Sequence, residues 1–190
     1  MSSNSRKYPM HKHGSALATR DLGSEVAREL HAAGKNAHLF IVDFQEVRVA
    51  SSPFLDEVVI ALRSMIADRP DRHVLLCGVN EDLRDTLLLV VERRDIVLTT
   101  QEPTGDLRPL GGSRYLEQTL AEAQQLGVFT APQLAERLDL KLPNLHQRLA
   151  QLEAAGALTR QDDPDVERGR RLLFKTPETT DPRGPEPVRA

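Results

Sequence analysis

Three short apolar runs, "NAHLFIVDF", "HVLLCGV" and "IVLTTQ", are separated by segments whose apolar residues recur every three or four positions, and this alternation restricts the fold more than any other feature. Each run is too short for a helix and lacks the apolar–polar alternation of a half-exposed strand, so it reads as a strand covered on both faces. The intervening segments read as amphipathic helices. "TRDLGSEVARELHAAG" offers Thr19 as N-cap and Leu22, Val26, Ala27 and Leu30 as its apolar stripe. "PFLDEVVIALRSMIAD" follows Ser52 as cap with Pro53 in the first turn, and "NEDLRDTLLLVVERRD" is capped by Asn80 or Asp82. Strand and helix in turn predict an α/β layer over residues 14–101, with a largely parallel sheet and right-handed crossovers. The polar segment 1–13, which carries Pro9, is expected to be disordered or loosely docked.

Residues 102–112, "EPTGDLRPLGG", gather two prolines and three glycines and read as an interdomain linker. The pattern then changes. "SRYLEQTLAEAQQLG" is a helix behind Ser113, "TAPQLAERLDL" a short one behind Thr130, and "PNLHQRLAQLEAAG" a third with Leu142, Leu145, Leu149 and Leu152 at spacings of three and four. "ALTRQ" and "RRLLFKT" bracket the polar turn "DDPDVERG" as a hairpin. A second domain over 113–176 and a disordered tail, 177–190, complete the division of the 190 residues.

Global composition excludes more than it proposes. The formal net charge is only −3 with 28% charged residues, so any nucleic-acid binding has to be local. The single Cys77 rules out an intramolecular disulfide framework and sits in a core strand, and its reduced state fits a cytoplasmic location. No stretch approaches the roughly 20 apolar residues that span a bilayer, and no apolar leader is present, so no membrane role is expected. The six histidines have no metal-ligand spacing with Cys77, Asp56 and Glu57 point about 100° apart on their helix, and no phosphate-binding glycine loop occurs. No catalytic residue, metal or cofactor is therefore expected, and the chain is not expected to be an enzyme.

The stretch "FTAPQLAERLDLKLPNLHQRLAQLEAAGAL", Phe129 to Leu158, resembles the winged helix-turn-helix regulators of bacteria. Leu140 plugs the turn, Pro143 starts the third helix, and the Leu-x-x-x-Gly close delivers the chain into the wing. The resemblance implies that the third helix enters the major groove of double-stranded DNA and the wing touches the backbone. Carried over by position, the DNA-binding candidates are Lys141, Asn144, His146, Gln147, Arg148 and Gln151, with Arg168, Arg170 and Arg171 in the wing. Asn and Gln suit adenine, whereas Arg and Lys suit guanine or phosphate. Nine cations in this domain meet nine acids, so the positive charges have to cluster or two copies have to bind together.

The first domain, from about Leu17 to Val97, resembles the STAS superfamily, and within it the STAS-like branch whose helix reads Ser-Phe-Ala-Asp-Glu, through "LATRDLG" and "IVDFQEVRVASSPFLDEVVIAL". Asp43 would close the central strand, and Ser51, Ser52, Phe54, Asp56 and Glu57 would form a partner-docking face. Related domains switch partners through phosphorylation of a loop serine, but the position aligned with that serine is Pro53. Ser52 is therefore expected to be a helix cap, with Ser52→Ala costing ~1 kcal/mol. The short lead-in implies an abbreviated opening strand pair, and the unpaired edge together with the apolar "LLLVV" of the third helix places a homodimer contact in this domain. The combined expectation is a DNA-binding transcriptional regulator whose STAS-like module dimerises or docks a regulatory partner. The alternative is a partner-switching adaptor that uses both domains for protein contacts.

Overall fold

The computed structural model describes residues 4–164 and 172–178. Its larger unit is a five-stranded sheet in the order β1 (Ser5–Pro9), β3 (Leu39–Asp43), β5 (His73–Cys77), β6 (Leu98–Gln101) and β7 (Leu107–Leu110). The first four strands are parallel and β7 is antiparallel to β6. Strands added in one direction through crossovers of one hand put every connecting helix on the same face. Accordingly α1 (Arg20–Gly34), α2 (Ser52–Asp68) and α3 (Glu81–Arg93) share a core with Phe40, Val42, Val74, Leu76 and Leu98. A small parallel pair, β2 (Ala16–Leu17) with β4 (Val49–Ala50), lies beside this layer. The mixed α/β class is as expected.

Alternation along the same strands turns Leu39, Ile41, Leu75 and Val97 to the opposite face, where they form a second core with the C-terminal helices. These are α4 (Arg114–Leu126), α5 (Ala131–Leu138) and α6 (Leu142–Ala154), followed by the three-stranded antiparallel sheet β8 (Val128–Phe129), β10 (Leu172–Lys175) and β9 (Thr159–Asp162). The order helix, helix, helix, hairpin is the one the sequence predicts. Leu116, Leu120, Leu134, Leu145, Leu149 and Leu152 fill this core, and Phe129 stacks on Phe174 at 5.8 Å between ring centres.

The two units are joined through backbone as well as side chains. Strands β5 and β6 pair only at Leu76–Thr100 and Cys77–Gln101, which leaves the Val74 N–H to the Gly156 carbonyl at 3.2 Å. Beside it the Thr99 hydroxyl donates to the Ala155 carbonyl at 2.8 Å. The turn that ends α6 is thus wedged into the gap between two strands.

Several expectations are corrected. Residues 5–9, expected to be disordered or loosely docked, form edge strand β1 of the sheet: Tyr8 and Met10 are buried, and Lys7 pairs with Asp43 at 2.8 Å. Tyr8 also donates to Glu29 at 2.7 Å, and Lys12 pairs with the same carboxylate at 2.6 Å, which fastens the segment to α1. The supposed linker 102–112 contains β7, whose Pro109 is tolerated because an edge strand spends fewer N–H groups on pairing. Residues 177 and 178, expected to belong to a disordered tail, are placed: Pro177 is buried and Glu178 pairs with Lys175 at 3.0 Å; residues 179–190 lie outside the described residues. Both grounds for the dimer contact weaken. Strand β1 supplies the opening strand expected to be shortened, and of "LLLVV" only Leu89 is exposed.

The helix cap moves by one residue. The Ser51 hydroxyl accepts from the Phe54 N–H at 3.3 Å and donates to the Ala18 carbonyl at 2.5 Å, while Ser52 is the first helical residue. Ser51→Ala is therefore expected to lower stability by about 1–2 kcal/mol and Ser52→Ala by a few tenths. Urea unfolding of the two variants checks this, and equal losses would contradict it.

The joint carries a pH signature. His73 is 7% exposed, its Nε2 lies 3.3 Å from the Thr159 hydroxyl, and its Nδ1 has no hydrogen-bond partner among the described residues. Burial pushes its pKa down to about 4, the nearby Gly156 backbone works against this, and the Lys175 charge lowers it again. An unfolded chain with an ordinary imidazole takes up a proton that the folded chain refuses. Stability is therefore whole above pH ~6.5, falls as pH drops toward ~4, and the total loss is of order 3 kcal/mol. His73→Gln is expected to flatten the decline in unfolding free energy between pH 7 and 4.5, and a decline parallel to wild type would contradict this origin.

Candidate nucleic-acid interface

Helix α6 is built so that one side is fully committed and the other is not. Leu145, Leu149 and Leu152 are buried against α4 and α5, which fixes the helix about its axis. Pro143 sits in its first turn, where a missing N–H costs nothing, and Asp139 ends α5 in the left-handed region with φ 51°. Thr130 and Gln133 form a reciprocal cap at the start of α5, with Gln133 accepting from the Thr130 N–H at 2.8 Å.

On the outward side, Lys141, Asn144, His146, Gln147 and Gln151 are all exposed, and none of their side chains has a hydrogen bond or ion pair among the described residues. From Lys141 to Gln151 there is no carboxylate. The next acid, Glu153, is half-buried and paired with Arg160 at 3.4 Å; burial raises its pKa, against the lowering effect of Arg160. Charge neutrality of the unit as a whole therefore hides a local surface of amides and cations.

Arg148 differs from the other candidates. Its guanidinium donates to the buried Thr119 hydroxyl at 3.2 Å and lies 4.9 Å from the centre of the Tyr115 ring. It is half-buried and held in one orientation, beside a tyrosine that is itself 63% exposed. Arg168, Arg170 and Arg171, placed in the wing by the sequence, lie outside the described residues. Leu142 is 41% exposed next to Lys141 and adds an apolar element to the surface.

The residues expected to form a partner-docking face are mostly spent internally. Phe54 is completely buried in the α/β core and Ser51 is engaged by the cap and the Ala18 carbonyl. Asp56 is buried beneath a cluster of arginines: Arg94 donates from Nε at 2.8 Å and from a terminal nitrogen, Arg93 donates at 3.1 Å, and Arg20 stands at 3.8 Å. The Arg94 hydrogen bond leads in holding its carboxyl below the ordinary range; burial opposes it, and the Arg93 hydrogen bond adds to the lowering. Glu57 pairs with Arg20 at 3.1 Å and accepts from Ser24 at 3.3 Å. Ser52 remains only partly covered. The signal for the arginine cluster was present in the sequence: an acid inside the apolar stripe of α2 and an Arg93-Arg94 doublet ending the next helix.

Asp43 and Cys77 close the carboxyl ends of β3 and β5. The Asp43 carboxylate accepts from the Gln45 N–H at 2.9 Å and from the Cys77 thiol at 3.4 Å. Burial first, and then Asp43, pushes that thiol up to about 12, so it stays protonated at neutral pH. Among the described residues no group of three or more His, Cys, Asp or Glu side chains is placed to hold a metal ion, and no helix is long and apolar enough to cross a membrane. Comparison with protein-family models, curated proteins and solved structures finds no match.

Proposed function

We propose that the chain is a DNA-binding transcriptional regulator in which α6 serves as the recognition helix of a winged helix-turn-helix unit and the STAS-like α/β unit is its rigid platform. The observation that carries this reading is the outward side of α6, where amides, a lysine and a histidine without partners among the described residues project with no carboxylate among them. Asn144 and Gln147 have the chemistry for bidentate contact with adenine, and Lys141 the chemistry for phosphate or guanine. Arg148, already oriented by Thr119 and Tyr115, presents its remaining N–H groups at low entropic cost. A unit of this modest charge gains affinity when two copies bind half-sites one helical turn, ~34 Å, apart. Control by a protein or signal would act on the exposed helices of the α/β unit, since the joint offers no loose hinge.

The adaptor reading draws on the exposed Tyr115 and Leu142 but loses its docking face, because Phe54 and Asp56 are buried. Selection of bound fragments from a genomic pool tests the DNA reading: enrichment of a shared sequence is expected, and a pool that stays unenriched would contradict it.

A further inference from the structure

The outward stripe of α6 does not stop at the end of the base-reading segment. Gln151 and Ala154, which continue it at helical spacing from Gln147, line a cleft of about 330 Å3 whose opposite wall belongs to the α/β unit. Arg63 of α2 and Asp95 of the turn after α3 form that wall, and Ser113 at the head of α4 closes the cleft. Arg63 is exposed and has no hydrogen bond or ion pair among the described residues. A cation without an internal partner therefore stands at the end of a surface stripe that is otherwise made of amides and small side chains.

We propose that a duplex bound by α6 runs on to this cleft, where Arg63 takes a backbone phosphate, so that the α/β unit forms part of the DNA-binding surface. The proposal rests on the DNA reading above and adds a specific extension to it. Two features support the geometry. The α2 backbone that carries Arg63 packs on the sheet to which the end of α6 is bonded, since the Gly156 carbonyl accepts from Val74 and the Ala155 carbonyl from Thr99. Ten residues of helix separate Asn144 from Ala154, about 15 Å at 1.5 Å per residue, whereas the major groove is about 12 Å wide. The backbone that flanks a groove occupied by the start of α6 thus falls near the cleft. A guanidinium suits this role, since its fork of N–H groups matches phosphate oxygens. The neighbouring Asp95 works in the opposite direction, repelling the same phosphate.

The contact predicts effects of opposite sign at two exposed positions. Arg63→Gln is expected to weaken binding of the intact chain about three- to tenfold on every sequence, and to reduce the slope of log affinity against log salt by about 0.9, the signature of one lost phosphate contact. Asp95→Asn, tolerated at the positive φ of 51° that this residue adopts, is expected to tighten binding about two- to threefold. Both effects should vanish on a duplex trimmed at the flank of the selected site, and thermal melting should be unchanged in both variants. If wild type binds DNA but Arg63→Gln retains the wild-type salt slope, or if trimming leaves the two effects intact, the extension is wrong. If wild type binds no duplex at all, the underlying DNA reading fails as well.

Discussion

Gly156→Ala is expected to lower stability by about 3–4 kcal/mol, combining left-handed strain with the loss of two buried hydrogen bonds. Gly156 has φ 73°, and a Cβ there would stand 2.9 Å from the Val74 carbonyl oxygen and 3.0 Å from its nitrogen. Both are backbone atoms of a central strand, so neither can swing aside. The end of α6 would have to withdraw from the gap between β5 and β6, breaking the Val74–Gly156 and Thr99–Ala155 bonds. Gly127→Ala supplies the control. That residue has φ 70° and ψ −70° but open space around its Cβ position, so only conformational strain applies, about 1–3 kcal/mol. Denaturant unfolding separates the two. A loss at Gly156 no larger than at Gly127 would mean that the wedge is not what holds the units together.

Asn144→Ala is expected to cost ~1–3 kcal/mol of binding on the preferred site, roughly five- to 150-fold, and to relax preference at one base pair. The residue lies in the first turn of α6, exposed and with no side-chain hydrogen bond among the described residues, so truncation removes none of these bonds and melting should not change. Lys141→Gln separates a second role by its signature. It should weaken all sequences alike and reduce the salt slope by about one if Lys141 meets phosphate. Competition titrations with the preferred duplex and a scrambled one distinguish loss of discrimination from loss of charge. Uniform weakening by Asn144→Ala would remove it from the base-reading set.

The α/β layer was legible in the sequence wherever one residue type could do only one thing. Thr19 and Asn80 cap helices because their oxygens accept the orphan N–H groups of the first turn, and the β3 and β5 runs are apolar because both faces are covered. The edges were not legible. Strand β1, "SRKYP", has only Tyr8 fully buried, and β7, "LRPL", carries a proline in a stretch dense with glycine, so each resembles loop until a neighbouring strand is in place. The docking of the two units was half visible. Leu39, Leu75 and Val97 announce a second covered face, yet nothing in their spacing says that the C-terminal helices supply the cover. The cleft between Arg63 and Gln151 follows from that docking and could not be foreseen without it. For α6, position was read correctly from Leu145, Leu149 and Leu152, but Leu142, counted in the same stripe, is exposed, and Arg148 was not distinguished from its neighbours, because Thr119 and Tyr115 meet it only in three dimensions.

Affinity of the intact chain for a selected duplex, measured across a series of salt concentrations beside an unrelated duplex, tests most directly whether α6 reads DNA. The expected result is tight binding to the selected site that weakens linearly on a logarithmic salt scale, a weaker and equally salt-dependent affinity for the unrelated duplex, and collapse of the difference between them in Asn144→Ala. Absence of salt-dependent binding to either duplex would contradict it.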